Sequence, residues 1–336
     1  MLKNLFAIFL VLLVMAFGLR NQVQQFSQTR LALTGPYFEV KSGNSVSSLC
    51  QQWQQQGLLT SAQCWQFKVL TVFHPELRQI KAGVYAVAPD LLLNQLALFR
   101  SGKAAQFSLM LREGETLSQS LAALQQAPFL QNDIQSTEDL KSLVQWPAEW
   151  GTPPADLEAL FFPETYYYTA NNKASAIYQR AHQALLKQLS AAWQQRDQSL
   201  PLKSPYELLI LASIVEKETG VIAEKPLIAS VFINRLRLKM KLQTDPTVIY
   251  GLKERYQGDI TRAHLKDQHP YNTYVHFGLP PGPIALVSAT SLQAAAKPES
   301  SKMLYFVAKG DGSHQFSASL DDHNKAVQQY IFGKKS

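Results

Sequence analysis

The sequence predicts an α+β protein in which an N-terminal membrane helix precedes two soluble domains. Its 336 residues are 46% hydrophobic, so the chain is long and apolar enough to bury more than one core. Amphipathic helical patterns recur along the second half, the longest covering residues 174–196. Near the end, GDGS separates two strand-like runs, Met303–Lys309 and Gln315–Ser319, which is typical of a hairpin. Helices and a small antiparallel sheet are therefore expected together.

The first 20 residues form an apolar segment that we predict to be a transmembrane anchor. Leu5 to Leu19 is uninterrupted by charge and is flanked by Lys3 and Arg20. The run is shorter than the roughly 17 to 25 residues of a typical spanning helix, and residues 16–18 weakly resemble a signal-peptidase site, so a cleaved signal peptide is the alternative. Either assignment exports the rest of the chain. Residues 21–36 are polar with little periodicity and are interpreted as a juxtamembrane spacer.

A small α+β unit is predicted over residues 37–108. Its expected order is a strand, two helices and a strand, at Tyr37–Lys41, from Asn44 or Ser45 to about Gln55, at Ser61–Phe73 and at Gly83–Ala88. This order resembles a LysM-like module, a class that binds polymers containing N-acetylglucosamine. Cys50 and Cys64 lie within it, and both a disulfide and two buried free thiols remain open.

The start of this module recurs further along the chain. KSGNSVSSL at residues 41–49 is followed by REGETLSQS at residues 112–120, with a basic residue, Gly, an N-capping Ser or Thr and an apolar residue at matching offsets. Both segments are predicted to form a strand, a glycine turn and a capped helix, which can recur for local reasons without duplication of a module. The second copy opens the domain predicted over residues 109–332.

Helices and loops alternate in this second domain. Beyond the helix at residues 174–196, another is predicted at Leu227–Met240, behind Pro226. Between Gln243 and Pro283 the helical period gives way to Pro, Gly, Asp, Asn and aromatic residues. Loops of this composition commonly hold binding residues on a rigid scaffold.

One helix in this domain ends on a candidate catalytic acid. Tyr206 to Thr219 has no interior Gly or Pro and follows Ser204 and Pro205, which are typical of a helix start. Glu216 and Glu218 are about 200° apart on it, so they cannot face the same surface. Glu218 continues an apolar stripe, where burial raises the pKa of a carboxyl group and suits it to donate a proton near neutral pH. The alternative is that both glutamates are solvated charges at a helix end.

Five ordered motifs resemble those of the endolytic murein transglycosylases, the MltG/YceG-like family. They are ASIVEKET at residues 212–219, SVFINRL at 230–236, LQTDPTVIYG at 242–251, YNTY at 271–274 and GLPPGPI at 278–284. A weaker segment, LEALFFPETY at residues 157–166, has Ala159 and Glu164 where the family usually has Gly and Asp. The resemblance gives the catalytic role to Glu218, the residue that the helical phase also selects.

The resemblance implies cleavage of peptidoglycan glycan strands between N-acetylmuramic acid and N-acetylglucosamine. Glu218 would act as acid and then as base, giving 1,6-anhydro-N-acetylmuramic acid ends and terminating nascent strands. It also implies a single-pass protein of the bacterial inner membrane with a periplasmic catalytic domain, working with penicillin-binding proteins and other cell-wall synthases. Two alternatives remain: a lysozyme-like hydrolase that uses Asp245 as its second carboxylate, and a non-catalytic glycan-binding scaffold.

Five further residues are candidates for substrate binding, because amides and hydroxyls pair with sugar hydroxyls and aromatic rings pack on sugar faces. They are Gln243, Asp245, Tyr271, Asn272 and Thr273. The alternative is that they are turn residues bonded to their own backbone.

Other chemistries find no support in the sequence. The spacing of His264, His269 and His276 matches no metal motif, and no nucleophile elbow, phosphate loop or dinucleotide fingerprint is present, so neither a metal nor a cofactor is expected. The formal net charge of +7 permits binding to an anionic surface, and export argues against nucleic acid. The basic residues between 235 and 241 alternate along a helix and are interpreted as a solvated surface.

Overall fold

The computed structural model describes residues 2–333, with side chains from residue 6 onward. Met1, the first residue of the predicted anchor, lies outside the described residues. The chain divides into two compact units. Unit 1 extends to Phe107 and includes Pro128–Leu130 and Tyr167–Asn172; unit 2 contains Ser108–Ala127, Gln131–Tyr166 and the residues from Lys173 onward. Helices and two-stranded antiparallel sheets occur together, which confirms the predicted α+β class.

The elements of unit 1 follow one another closely. They are α1 (Leu2–Ser27), β1 (Arg30–Leu31), β2 (Tyr37–Val40), α2 (Val46–Gln55), α3 (Ser61–Phe73), β3 (Gly83–Ala86), β4 (Asp90–Leu91) and α4 (Leu92–Ser101). A 3₁₀ helix, Pro75–Arg78, follows α3. β2 pairs with β3 and β1 with β4, both antiparallel. The predicted order of strand, two helices and strand between residues 37 and 88 is confirmed.

Helix α1 is longer than the predicted anchor. Phe6–Ser27, 22 residues with a mean hydropathy of 1.9, is long and apolar enough to cross a membrane. The structure differs from the spacer predicted at residues 21–36. Helix α1 continues to Ser27 and buries Val23 and Phe26 in the core of unit 1. These two side chains share a helical face with the half-buried Leu19. The polar residues between them conceal this apolar stripe in the sequence.

Aromatic side chains pack on one another within the largely aliphatic core of unit 1. Trp53 on α2 stacks on Phe67 of α3 with ring centroids 5.7 Å apart, and Phe38 on β2 stacks on Phe99 of α4 at 5.5 Å. Cys50 and Cys64 join α2 to α3 in a disulfide, with Cα atoms 5.6 Å apart, so the alternative of two free thiols is wrong. Helices α2 and α3 are thereby linked both covalently and by packing.

Strands β5 (Gln106–Met110) and β6 (Thr165–Thr169) form a two-stranded sheet. The division between the units falls within both strands, after Phe107 in β5 and after Tyr166 in β6. The remaining helices and strands are α5 (Leu117–Ala122), α6 (Thr137–Lys141), α7 (Ala174–Gln194), α8 (Pro205–Glu218), α9 (Lys225–Arg237), α10 (Asp245–Leu252), α11 (Ala289–Ala296), β7 (Tyr305–Ala308), β8 (His314–Ser317) and α12 (Leu320–Val327). Short 3₁₀ helices occur at Ala123–Gln126, Ala148–Trp150, Ile222–Glu224, Lys253–Arg255 and His264–Lys266, and a π-helical turn at Gln328–Phe332.

Helix α8 is the centre of unit 2. Its residues 208–215 are all buried, and it packs against α7, α9, α10 and α11. Ser204 caps its N-terminus by accepting a hydrogen bond from the N–H of Glu207, and Pro205 follows in the first turn, as predicted. A helix that is apolar all round belongs inside a domain rather than on its surface. The end of α8 is therefore held rigidly.

The two similar segments at residues 41–49 and 112–120 have the predicted local structure. Each has a glycine with positive φ, Gly43 at 81° and Gly114 at 74°, followed by a helix whose N-cap residue, Ser45 or Thr116, forms a capping box. Ala159 also has a positive φ, of 61°, where the resembled family usually has glycine. A side chain in this region costs roughly 1–2 kcal/mol.

The region between Gln243 and Pro283 is less irregular than predicted. Helix α10 begins there at Asp245, and Pro246 occupies its first turn, where the fixed φ of proline is compatible with a helix. The C-terminal hairpin is confirmed, with β7 and β8 paired antiparallel. Helix α12 follows it and was not predicted, although Ser319 caps it and acidic residues occupy its first turn, which are signals of a helix start.

Candidate active site

Glu218 lies in a cleft of unit 2 with a volume of about 470 Å³. Helix α8 ends at this residue because Thr219 adopts an extended backbone, with φ −147° and ψ 139°. The cleft is lined by Glu218, Phe232, Arg235, Leu242, Gln243, Thr244, Asp245, Tyr274, Tyr305, Phe306, Leu320, His323 and Asn324. The carboxyl group is thus held at the end of a rigid helix and faces a space large enough for sugar residues.

The environment of Glu218 favours its protonated form. Burial raises the pKa of its carboxyl group from 4.5 to about 7; the hydrogen bond from the hydroxyl of Thr244 lowers this pKa, and the negative charge of Asp245 raises it. The positive charges of His314 and Arg235 act in the lowering direction. A carboxyl group with a pKa near 7 can both donate and accept a proton at neutral pH.

Glu216 belongs to a different network, as its helical phase predicts. Its carboxylate pairs with Lys225 Nζ at 3.0 Å and accepts hydrogen bonds from the backbone and hydroxyl of Ser288, the N-cap of α11. Burial acts to raise the pKa of Glu216, but these hydrogen bonds outweigh it and the pKa is lowered. Lys225 also donates to the hydroxyl groups of Ser288 and Thr290, so its three N–H donors all have partners. This network joins α8, α9 and α11.

The loop before α10 brings three consecutive residues to the cleft. Gln243 is exposed and has a positive φ of 49°, and Asp245 is exposed and accepts a hydrogen bond from Tyr274 Oη at 2.6 Å. Thr244, which the sequence analysis did not select, occupies the N-cap position of α10 but donates its hydroxyl to Glu218 instead of capping the helix. Gln243 and Asp245 are therefore accessible to a ligand, while Thr244 tunes the acid.

The YNTY segment is arranged differently from the prediction. Asn272 and Thr273 are 1% and 2% exposed, so they have almost no surface for a sugar to contact. The amide of Asn272 donates to two carbonyl groups of its own loop, and Thr273 Oγ1 accepts a hydrogen bond from the backbone of Thr244. Tyr271 packs against Tyr250, with centroids 4.9 Å apart, and is not among the residues that line the cleft. Tyr274 is the member of this segment that reaches the cleft.

Arg235 is buried in the cleft, which corrects its interpretation as part of a solvated surface. The side chain is 8% exposed, and its guanidinium group donates to the carbonyl groups of Leu304 at 2.7 Å and Leu242 at 2.9 Å. The sequence contains a signal for this position. Residues three, four and seven before Arg235 are Phe232, Val231 and Ile228, an apolar stripe with the same spacing as the one before Glu218 on α8.

The hairpin and α12 form another wall of the cleft that sequence reasoning missed. Tyr305 on β7 lies under the guanidinium group of Arg235, 5.0 Å from its carbon atom, and stacks on His323 of α12 at 5.2 Å. Glu224, just before α9, accepts hydrogen bonds from the backbone and ring of His314 on β8, at 2.9 and 2.7 Å. This pair ties the hairpin to the segment that follows the acid.

Glu158 is a second carboxyl group whose pKa burial raises to about 7. It is 5% exposed, and its two oxygens accept hydrogen bonds from the N–H of Leu117, at the start of α5, and from Tyr250 Oη. Both oxygens are occupied by internal donors, and a carboxylate at a helix N-terminus is a stabilising arrangement. Glu158 therefore caps α5, which gives the weak LEALFFPETY segment a structural role.

These features define a class of site. One protonatable carboxyl group ends a rigid helix and faces a polar cleft lined by tyrosine, asparagine and glutamine side chains, which suits acid–base chemistry on a polar substrate. Over the described part of the chain, no group of three or more His, Cys, Asp or Glu side chains is placed to bind a metal ion.

The chain belongs to the YceG-like family, whose model matches residues 38–329. The family resemblance drawn from the five motifs is confirmed. The chain is 29% identical to an endolytic murein transglycosylase of Bacillus subtilis (strain 168), over 94% of this chain and 89% of that protein. It is 28% identical to an endolytic murein transglycosylase of Streptococcus pneumoniae serotype 2, over 66% of this chain and 41% of that protein. The crystal structure of a putative YceG-like protein from Listeria monocytogenes is also similar, with a TM-score of 0.53 and 29% identity over 86% of this chain and 97% of that one.

Proposed function

We propose that this protein is a lytic transglycosylase that cleaves peptidoglycan glycan strands endolytically, with Glu218 as its catalytic residue. The observation that carries the proposal is the carboxyl group of Glu218, which has a pKa of about 7 and lies in a cleft lined by polar and aromatic side chains. Membership of the YceG-like family and similarity to two proteins named endolytic murein transglycosylase support it.

In the proposed reaction a single carboxyl group serves twice. Protonated Glu218 gives its proton to the oxygen that bridges N-acetylmuramic acid and N-acetylglucosamine, and the bond from C1 to that oxygen breaks. The resulting carboxylate then takes the proton of the C6 hydroxyl group, whose oxygen forms the new bond to C1. The products are a 1,6-anhydro-N-acetylmuramic acid end and a free hydroxyl on the leaving sugar, and water is not consumed. The hydroxyl of Thr244 and the charge of Arg235 stabilise the intermediate carboxylate.

The reaction is tested by mass analysis of murein digested with wild type and with Glu218→Gln. The expected result is anhydro ends from the wild type and none from the variant. Hydrated reducing ends would instead support a lysozyme-like hydrolase, the second candidate, which is favoured by the presence of Asp245 in the same cleft. For that hydrolase, Asp245→Asn must abolish turnover as fully as Glu218→Gln. In the transglycosylase, Asp245 is not a catalytic base and only forms hydrogen bonds with its loop or with the sugar.

The proposal extends to the cell. We infer that α1 anchors the protein in the inner membrane with both units in the periplasm, where cleavage of nascent strands ends their elongation beside penicillin-binding proteins and other synthases. An alkaline phosphatase fused to the C-terminus should be active, and glycan strands should lengthen when Glu218→Gln replaces the wild type. A Glu218→Gln protein that retained every cellular effect would instead favour a scaffold.

We also propose that the unit between residues 37 and 108 is a LysM-like module that binds N-acetylglucosamine-containing glycan. Its order of strand, two helices and strand, with β2 paired to β3, supports this assignment. Full-length Glu218→Gln protein should co-sediment with murein and be released by chitin oligomers. Co-sedimentation that these oligomers leave unchanged would contradict the assignment.

A further inference from the structure

The guanidinium group of Arg235 is a buried positive charge that forms no direct ion pair with a carboxylate among the described residues. Its side chain is 8% exposed, and among the ion pairs of residues 6–333 none includes it. Backbone carbonyl groups hold it instead: Nε donates to Leu304, and Nη1 donates to Leu242 at 2.9 Å and to Lys241 at 3.3 Å. Burial of an unpaired charge is costly, so its retention calls for a reason.

One end of this group remains available. Arginine has five N–H donors in a planar fork, and those of Nε and Nη1 are directed at protein acceptors, including the side chain of Gln243 at 3.4 Å. Within the described residues Nη2 has no hydrogen-bond partner, and it is not among the fully enclosed atoms that lack one. Arg235 lines the same cleft as Glu218 and rests on the ring of Tyr305. The other contacts fix the fork, which leaves Nη2 as the donor that this cleft-lining side chain can offer to a ligand.

We propose that Arg235 Nη2 binds an acyl oxygen of the muramic acid residue whose C1 bond is cleaved. The substituents of that sugar that offer such an oxygen are the N-acetyl group on C2 and the lactyl group on C3, and a rigid cationic donor suits either carbonyl. A hydrogen bond there fixes the rotation of the sugar ring in the cleft. Arg235 is thereby a substrate-binding and positioning residue, and this role rests on the proposed function.

The substitution that tests this role is Arg235→Lys. A lysine keeps the charge and can satisfy one or two of the carbonyl groups, but it cannot hold them and also present a second donor to the cleft. The matched control is Arg237→Lys. Arg237 lies on the same helix but is exposed and donates to Ser199, away from the cleft.

Binding is measured with full-length protein in detergent, in a Glu218→Gln background that prevents turnover. Three glycan probes are compared: native strands, N-deacetylated strands that lack the C2 carbonyl, and peptide-free strands in which the lactyl amide has become a carboxylate. The affinity ratio between probes is taken within each variant, so partial unfolding of a variant cancels. Urea denaturation of Arg235→Lys checks its fold separately.

The Arg235→Lys substitution should weaken the binding of native strands by about 10- to 100-fold. This is the factor expected for the loss of a hydrogen bond to a charged group. If the N-acetyl group is the partner, N-deacetylation of the strands should weaken binding by that factor in the parent protein but not in Arg235→Lys. If the lactyl group is the partner, peptide removal should strengthen binding with Arg235 more than with Lys. Arg237→Lys should behave like its parent.

Unchanged affinity in Arg235→Lys, or a uniform loss that leaves all the probe ratios as in its parent, would overturn the inference. The result is independent of the reaction type, because no cleavage takes place in this assay. Failure of the proposed function would instead appear as the absence of anhydro ends from wild-type digests.

Discussion

Replacement of the candidate acid should stabilise the protein at alkaline pH and leave its stability at acidic pH almost unchanged. The pKa of Glu218 is about 7 in the folded state against 4.5 when unperturbed. Between these two values the folded state binds a proton that the unfolded state has released, so stability falls as pH rises through this range. Above pH 7 Glu218 is ionised in both the folded and the unfolded state, and the folded state bears the full free-energy cost of its buried carboxylate. This difference in pKa corresponds to about 3 kcal/mol, an upper value because Glu218 is only partly enclosed.

Glutamine has a similar shape and no charge, so Glu218→Gln removes this cost. Full-length protein in detergent should be unfolded with urea at pH 4.5 and at pH 8. Relative to wild type, Glu218→Gln should be more stable by about 1–3 kcal/mol at pH 8 and by much less at pH 4.5. Comparison at each pH cancels the contribution of Glu158, whose pKa is also about 7 in both proteins.

Glu216→Gln is the control, and its expected sign is opposite. The pKa of Glu216 is lowered by its hydrogen bonds with Ser288 and Lys225 although burial opposes them, so its carboxylate stabilises the fold above the unperturbed value of 4.5. Its replacement should therefore destabilise the protein at pH 8. An equal effect of Glu218→Gln at both pH values would refute the assignment of a perturbed acid.

Three other substitutions test the packing of unit 2 and the hydrogen bond to the acid. Lys225→Met should destabilise the protein by about 3–5 kcal/mol in urea unfolding, because it leaves a buried carboxylate unpaired; a loss below about 1 kcal/mol would show that the pair contributes little. Gly282→Ala should cost roughly 1–3 kcal/mol, since a Cβ there would lie 2.7 Å from a tyrosine hydroxyl, whereas Gly220→Ala, with nothing within 4 Å, should not. Thr244→Val should shift the alkaline limb of the pH–rate profile to higher pH, because it removes a hydrogen bond that lowers the pKa of Glu218. Thr244→Ser keeps the hydroxyl group and should keep the wild-type profile. Equal profiles for the two variants would contradict this role of Thr244.

Local rules account for much of the fold. Three local features were predicted, because each depends on neighbouring residues alone. They are the cap at Ser204, the hairpin around GDGS and the similar segments at residues 41–49 and 112–120. Helical phase also separated Glu216 from Glu218 into different networks. The burial of helix α8 on all sides was not anticipated, and an apolar stripe describes only one of its faces.

Contacts between distant segments account for the residues whose surroundings differ from the sequence interpretation. Asn272 and Thr273 have the chemistry of sugar ligands, but their side chains are used to hold the loop to Thr244 and to itself. Arg235 has the appearance of a surface charge, but carbonyl groups from two other segments enclose it. Composition cannot distinguish these uses, because the same donors serve a ligand or the backbone.

From the sequence alone follow the order of the elements between residues 37 and 88, the family and the position of one glutamate at the end of an apolar helix. These depend on periodicity, capping and motif order, which operate over a few residues or are read directly. The folded chain is needed to show that Thr244, Arg235, Tyr274 and the wall formed by α12 surround that glutamate. A pKa near 7 for Glu218 depends on its burial and on charges that lie up to about a hundred residues away in the sequence. A local sequence pattern does not show that these charges come close to Glu218 in the folded chain.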